Sequence, residues 1–185
     1  TGAIDLAARS IELETVSVRA AESVLSATGR LGARGPIGLN GEMDLKGLAP
    51  LAGFRSIWSV RGASLQSLAL AFDGRAQFPA GPSPLADLIG SEAQVSGQAQ
   101  LNDRTLQIAS LQLSSNQLSA AMAGSASPDV LDLEGEVRAD DLILPSIELP
   151  TFDMAFSLTG APSAPILGMT AKAAPTPVSA LAIIL

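Results

Sequence analysis

The stretch Phe152-Asp-Met-Ala-Phe-Ser-Leu-Thr159 decides the fold class of this chain. Large apolar residues stand at every second position, and Asp, Ala, Ser and Thr stand between them. Side chains of a β-strand point alternately to opposite faces, so a period of two predicts a strand with one apolar face. Ala and Leu dominate the composition and favour helix by propensity, but the alternation contradicts a helix.

The same alternation fills most of the chain, for example near Ile4, at Leu118–Ala123 and at Leu131–Arg138. Gly, Pro, Asn, Asp and Ser separate the alternating segments, and Asn102-Asp-Arg104 reads as a hairpin turn. We therefore predict an all-β protein with one or two short helices. Its strands would form an elongated, curled sheet, antiparallel or mixed, with an apolar groove. A closed β-sandwich and a β-solenoid are the alternatives.

A second pattern, apolar-x-apolar-x-x-apolar-x-apolar, contains a three-residue step that breaks strict alternation. A β-bulge or a tight turn at that step would return the apolar residues to one face. The starts of the four occurrences are separated by 52, 43 and 36 residues, which suggests a degenerate repeat with insertions. The occurrences begin at Ile11, Ala63, Leu106 and Leu142.

Two segments, 48–54 and 84–90, place apolar residues three and four apart and end at or near Gly, which predicts short helices. Pro-rich breaks at 79–84 and 174–177 suggest the organisation of the chain. We expect a β-region at 1–80 with its helix near 48–54, and a second at 84–174 that opens with the helix 84–90. Residues 175–185 would form an apolar terminal strand or tail, and the whole would be one continuous structural unit.

Composition excludes several classes of function. The 185 residues contain no Cys and no His, so thiolate and imidazole metal sites and the Ser-His-Asp triad are excluded. The net charge of −7 argues against nucleic acid as a partner. Asp140-Asp141 is the only adjacent acidic pair, and we interpret it as part of a turn. We expect no enzyme activity and no cofactor.

The composition also favours an apolar binding surface. Aromatic residues make up only 3% of the chain, while small and branched aliphatic residues dominate. Such a surface makes no hydrogen-bond demands and suits acyl chains, although an ordinary sandwich core would have a similar composition. The predicted groove-lining residues are Leu111, Leu113, Leu118, Met122, Leu131, Leu133, Val137, Leu142, Leu144, Phe152, Met154, Phe156 and Leu158.

Four phrases in the sequence resemble the TamB (translocation and assembly module) and AsmA-like repeat family. They are the Leu-Ala-Pro-Leu-Ala-Gly phrase at 48–53, the Pro-Leu-Ala-Asp-Leu-Ile-Gly phrase at 84–90, the segment 130–149 and the segment 158–169. The resemblance covers most of residues 1–174. It implies no catalytic residues in this chain, because the family has no invariant catalytic residues.

The resemblance implies a periplasmic groove protein of a Gram-negative cell envelope, tethered to the inner membrane by an anchor outside this fragment. Its function would be non-enzymatic: conduction of phospholipid or another acyl-chain ligand to the outer membrane, or assembly of outer-membrane proteins. The implied protein partner is an outer-membrane assembly protein of the Omp85 class. The alternative hypothesis is a structural β-repeat domain of a secreted or surface adhesin.

Overall fold

The computed structural model describes residues 2–5, 10–32, 36–47, 49, 51–79, 89–144 and 147–173. Most of these residues lie in twelve β-strands. The strands are β1 (Gly2–Asp5), β2 (Ser10–Ala20), β3 (Ser23–Gly32), β4 (Ile37–Lys46), β5 (Gly53–Ser64), β6 (Ser67–Gln77), β7 (Glu92–Asn102), β8 (Thr105–Ser114), β9 (Leu118–Ala126), β10 (Leu131–Leu144), β11 (Ile147–Ala161) and β12 (Ala164–Ala173).

The described strands form one open sheet in which every strand pairs antiparallel with the next strand in the chain. β1 and β12 are its two edges. The all-β prediction and the open, curled sheet are confirmed. The predicted hairpin is also confirmed, because Asn102 pairs with Thr105 around a turn at Asp103 and Arg104.

Two occurrences of the three-residue step are β-bulges. In β2 the register with β3 shifts between Leu13 and Val16, and in β8 the register with β9 shifts between Ile108 and Leu111. Each bulge adds one residue to the strand, so the apolar residues on both sides of the step lie on one face of the sheet. The bulge prediction is confirmed at both places.

The other two occurrences are tight turns between consecutive strands. Ser64 pairs with Ser67 at the turn from β5 to β6, and Leu144 pairs with Ile147 at the turn from β10 to β11. The four occurrences are therefore two different structures, and they are not copies of one repeat unit.

The helix predicted at 48–54 is wrong where the structure describes the segment. Ala49 lies in a turn, and β5 already begins at Gly53. The amide of Ala52 donates a hydrogen bond to the carbonyl of Gln77 at 2.8 Å, so pairing with β6 takes the place of a helical hydrogen bond. Of the helix predicted at 84–90, only Ile89, which is helical, and Gly90 are described, and the other residues lie outside the described part. The tail 175–185 also lies outside it.

Asp140 and Asp141 both lie within strand β10, so the predicted turn is wrong. Asp140 pairs with Thr151 of β11 in an uninterrupted register. The long pairing of β10 with β11 therefore continues past the acidic pair, as far as Leu144 opposite Ile147.

Strands β1–β6, here called the N-terminal unit, and strands β7–β12, the C-terminal unit, repeat one pattern. In both units the second strand carries the bulge and pairs with a glycine of the third strand: Leu13 pairs with Gly29, and Ile108 pairs with Gly124. Gly29 and Gly124 have φ values of 133° and 134°, which L-residues rarely adopt. A bulge opposite a glycine with a positive φ is a device that bends a sheet.

The correspondence continues through the remaining strands, with equivalent residues 94 to 98 positions apart in the sequence. Equivalent pairs are Gly41 and Gly135, Glu42 and Glu136, Phe54 and Phe152, Trp58 and Phe156, Gly62 and Gly160, Leu70 and Leu167, Arg75 and Lys172, and Ala76 and Ala173. The occurrences of the three-residue step at Ile11 and Leu106 are 95 residues apart, which is one period of this longer repeat, although the single spacings of 52, 43 and 36 residues did not indicate it.

A small cluster of buried side chains lies at the junction of the two units. Ala76 of β6 and Phe78, which follows that strand, pack with Ile89 and with Ala93 at the start of β7. Leu51, Phe54, Val95 and Leu113 pack against this cluster. It is the only cluster of buried apolar residues in the described part of the chain.

Candidate functional site: one apolar face of the sheet

The strand registers place alternating apolar residues of consecutive strands on one face. Residues directly opposite each other in an antiparallel pair point to the same side of the sheet. Phe156 of β11 pairs with Gly135 of β10 and with Met169 of β12. Gly135 in turn pairs with Met122 of β9, which pairs with Leu111 of β8. One row of side chains thus runs across the strands.

Four further rows run parallel to this one, and together they form the apolar face. Among the described side chains of β2–β12, only Ser23 and Ser56 are polar members of it. The opposite face, the polar face, carries the ion pairs between neighbouring strands. The closest pairs are Arg138 with Asp153 at 2.7 Å and Arg55 with Asp44 at 2.9 Å.

The ion pairs of the polar face are exposed and therefore contribute little to stability. The hydrogen bond from Arg138 to Asp153, together with the attraction between their charges, raises the pKa of the Arg138 guanidinium above its usual value. The free energy that holds the sheet together must come from strand pairing and from contacts on the apolar face.

The structure leaves the apolar face largely open. Its side chains cover one another only partly, and none of the large side chains described is fully buried. Exposure is greatest on β12, where Leu167 is 59% exposed and Met169 is 64% exposed. The chain has an accessible surface of 12448 Å², against roughly 8,300 Å² expected for a compact protein of this mass.

Eleven of the thirteen predicted groove residues lie on the apolar face. They are Leu111, Leu113, Leu118, Met122, Leu131, Leu133, Val137, Phe152, Met154, Phe156 and Leu158. The backbones of Leu142 and Leu144 pair with Leu149 and Ile147. Both stand at even positions of β10, out of phase with Leu131, Leu133 and Val137, and their side chains lie outside the described residues.

The prediction missed the N-terminal half of the apolar face. Residues such as Leu39, Val60 and Leu70 belong to the same rows as the predicted ones. Glycines such as Gly41 and Gly62 take apolar positions of the alternation there, as Gly97 and Gly135 do in the C-terminal half. Counting Gly as apolar at alternating positions would have extended the predicted surface across both units.

Aromatic rings lie over glycines on the apolar face. A Cβ atom added at Gly135 would lie 2.5 Å from the ring of Phe156, and one added at Gly97 would lie 2.6 Å from the ring of Phe72. Trp58 lies over Gly41 in the same way. Each of these rings thus occupies the space that a side chain at the paired glycine position would take.

Within the described residues, two polar atoms of the N-terminal unit have no hydrogen-bond partner. The Ser56 hydroxyl and the Trp58 Nε1 are buried and unpaired, and Ser56 is only 3% exposed. Their equivalents in the C-terminal unit are Met154 and Phe156, which have no such polar atoms. An unpaired buried donor or acceptor is destabilising.

Two cavities, with volumes of about 790 Å³ and 850 Å³, lie on the polar side of the sheet. The first lies beneath Gly41 and Trp58, and the second beneath their equivalents Gly135 and Phe156. The sheet is therefore hollowed on its polar side at the same place in each unit. These cavities do not coincide with the predicted acyl-chain surface, which is the opposite face.

No family model, curated protein or solved structure matches this chain. Within the described residues, none of the helical structure is long and apolar enough to cross a membrane.

Proposed function

We propose that the apolar face binds the acyl chains of phospholipids and that this chain is a non-enzymatic segment of a lipid conduit. The observation that carries the proposal is the continuity of the face. Eleven strands, β2–β12, contribute to it, and its described side chains include only two polar ones, Ser23 and Ser56. An exposed apolar surface of this extent marks a site that is covered by a partner or a ligand.

Acyl chains fit this surface better than a compact apolar ligand does. Eleven strands spaced at about 4.8 Å span roughly 48 Å. Each CH₂ group that leaves water for an apolar surface contributes about 0.8 kcal/mol. The described surface has no enclosing wall and almost no polar groups that would fix a ligand in one position. A bound acyl chain could therefore move along it.

The resemblance to the TamB and AsmA-like family supplies the cellular setting of the proposal. It favours the periplasm, with a tether to the inner membrane, delivery of lipid to the outer membrane and an outer-membrane assembly partner of the Omp85 class. A structural domain of an adhesin would also be built from a tandem β-repeat. A purely structural role, however, does not explain why a continuous apolar face is exposed, whereas binding of acyl chains does.

Site-specific photo-crosslinking tests the proposal on neighbouring residues of one strand. A photoreactive side chain is placed singly at Leu131, Asp132, Leu133 and Glu134 of β10, and the protein is incubated with a radiolabelled diacyl phospholipid. The leucines belong to the apolar face and the acidic residues to the polar face. We expect crosslinks at Leu131 and Leu133 and none at Asp132 and Glu134. Equal labelling at all four positions, or none, would overturn the proposal.

A charge introduced at exposed positions of β12 gives a second test that spares the fold. Leu167→Asp with Met169→Asp places two carboxylates on the apolar face, at side chains that are already more than half exposed. Ile166→Asp with Thr170→Asp is the matched control on the polar face, where Ile166 is 68% exposed. We expect the first pair to reduce phospholipid retained in native mass spectrometry, while the control pair retains it. Equal retention by both would argue against acyl chains on β12.

A further inference from the structure

The last strand of each unit occupies an equivalent place in the sheet. Leu70 of β6 is equivalent to Leu167 of β12, and Arg75 of β6 is equivalent to Lys172 of β12. Both strands pair with the preceding strand in the same register relative to an aromatic residue: Phe72 pairs with Trp58, and Met169 pairs with Phe156.

The outer edges of β6 and β12 differ in what covers them. The outer edge of β6 pairs with β7 at eleven positions, from Ser67 opposite Asn102 to Gln77 opposite Glu92. No described strand pairs with the outer edge of β12. The difference is visible in exposure, because Leu70 is 40% exposed whereas its equivalent Leu167 is 59% exposed.

We infer that the outer edge of β12, which pairs with no described strand, is a docking site for one extended strand built like β7. The internal junction of β6 with β7 shows the interface that such an edge makes in this chain, since β6 and β12 are equivalent. Strand addition to an exposed sheet edge gains main-chain hydrogen bonds, and alternate side chains set the specificity.

The junction of β6 with β7 also defines the chemistry of the docking strand. Its apolar-face residues are small or aliphatic, as Ala93 and Val95 are, and its polar-face residues are mostly amides. Glu92 near the start of β7 forms an ion pair with Arg75 of β6, in which Oε1 of Glu92 lies 3.4 Å from a guanidinium nitrogen of Arg75. Because Lys172 is the equivalent of Arg75, an acidic residue near the start of the docking strand would face Lys172. Gln94 donates a hydrogen bond to Asp73 at 3.3 Å, and Thr170 is the equivalent of Asp73.

A peptide in trans tests the docking site on the full chain. The probe is a fluorescent peptide with the sequence of residues 91–103, and its binding is followed by anisotropy. We expect saturable binding of one peptide to one chain. Lys172→Glu should weaken this binding by about two- to fivefold, the range of one exposed ion pair. The same peptide with Glu92→Lys should restore it.

The control variant is Lys46→Glu, which makes the same change in charge on β4, an interior strand. It should leave the affinity of both peptides unchanged. Exchange of the peptide for the chain's own β7 would give binding that Lys172→Glu does not alter, and that result would overturn the inference. Absence of binding would overturn it too, by showing that the edge of β12 accepts no such strand or is already covered by residues 174–185.

Discussion

The N-terminal and C-terminal units share one strand pattern but differ in how their apolar residues are covered. Phe54 of the N-terminal unit packs against the buried cluster at the junction, which includes Phe78 and Ile89. At the other end of the C-terminal unit, Leu167 and Met169 remain more than half exposed on the edge strand. The pattern of a strand thus determines which side chains share a face, whereas the neighbouring elements determine how far those side chains are buried.

The comparison also shows which features the sheet requires and which it tolerates. Both units keep the bulge in their second strand and the positive-φ glycine opposite it, Gly29 or Gly124. Among the described residues, unpaired polar atoms on the apolar face occur in the N-terminal unit alone, at Ser56 and Trp58. We therefore expect the glycines to control stability in both units and Ser56 to reduce it in one.

Gly29→Ala and Gly124→Ala should have the largest effects, with a loss of about 4 kcal/mol in the free energy of unfolding for each. Both glycines have a φ that strains an L-residue, and an added Cβ would collide with the backbone carbonyl of Gly38 or Asp132. Urea unfolding followed by circular dichroism measures the loss. Gly38→Ala is the matched control, because an added Cβ at Gly38 has no atom within 4 Å. Similar losses for all three variants would show that the repeated bend is not a conformational requirement.

Phe78→Ala should lower the free energy of unfolding by about 3 kcal/mol, as expected for a buried aromatic side chain. Phe78 is 7% exposed within the junction cluster. Met169→Ala, at a side chain that is 64% exposed, should cost less than about 1 kcal/mol. Thermal unfolding of both variants compares the junction with the free edge. An equal cost would mean that Met169 is covered in solution, and the contrast between the two regions would then fail.

Ser56→Ala should give the smallest effect and the opposite sign, a gain of about 1 kcal/mol in stability. The buried hydroxyl has no partner in the described part of the chain, and its removal relieves the cost of desolvation. Ser59→Ala, three residues along β5 on the polar face, serves as the control and should be neutral within about 0.5 kcal/mol. Chemical unfolding measures both, and a loss of stability in Ser56→Ala would reveal a hydrogen bond at this hydroxyl.

Much of the sheet was predictable from alternation alone. The period of two at Phe152–Leu158 correctly indicated a strand with one apolar face. The three-residue steps at Leu13 and Ile108 are bulges, one of the two structures that the pattern predicted. Local spacing was misleading at Leu48–Phe54, where apolar residues three and four apart suggested a helix. There the pairing of the chain with β6 overrides a weak local preference.

The sequence by itself determined which side chains share a face, because strand geometry gives alternate residues opposite directions whatever the neighbours are. It also determined that this face would be mostly aliphatic, with few side chains that need a hydrogen bond. Only the tertiary structure decided that the strands pair in chain order, that two units repeat about Gly29 and Gly124, and that the hollows lie on the polar side. These features depend on register and curvature, which arise between strands and not within any one of them.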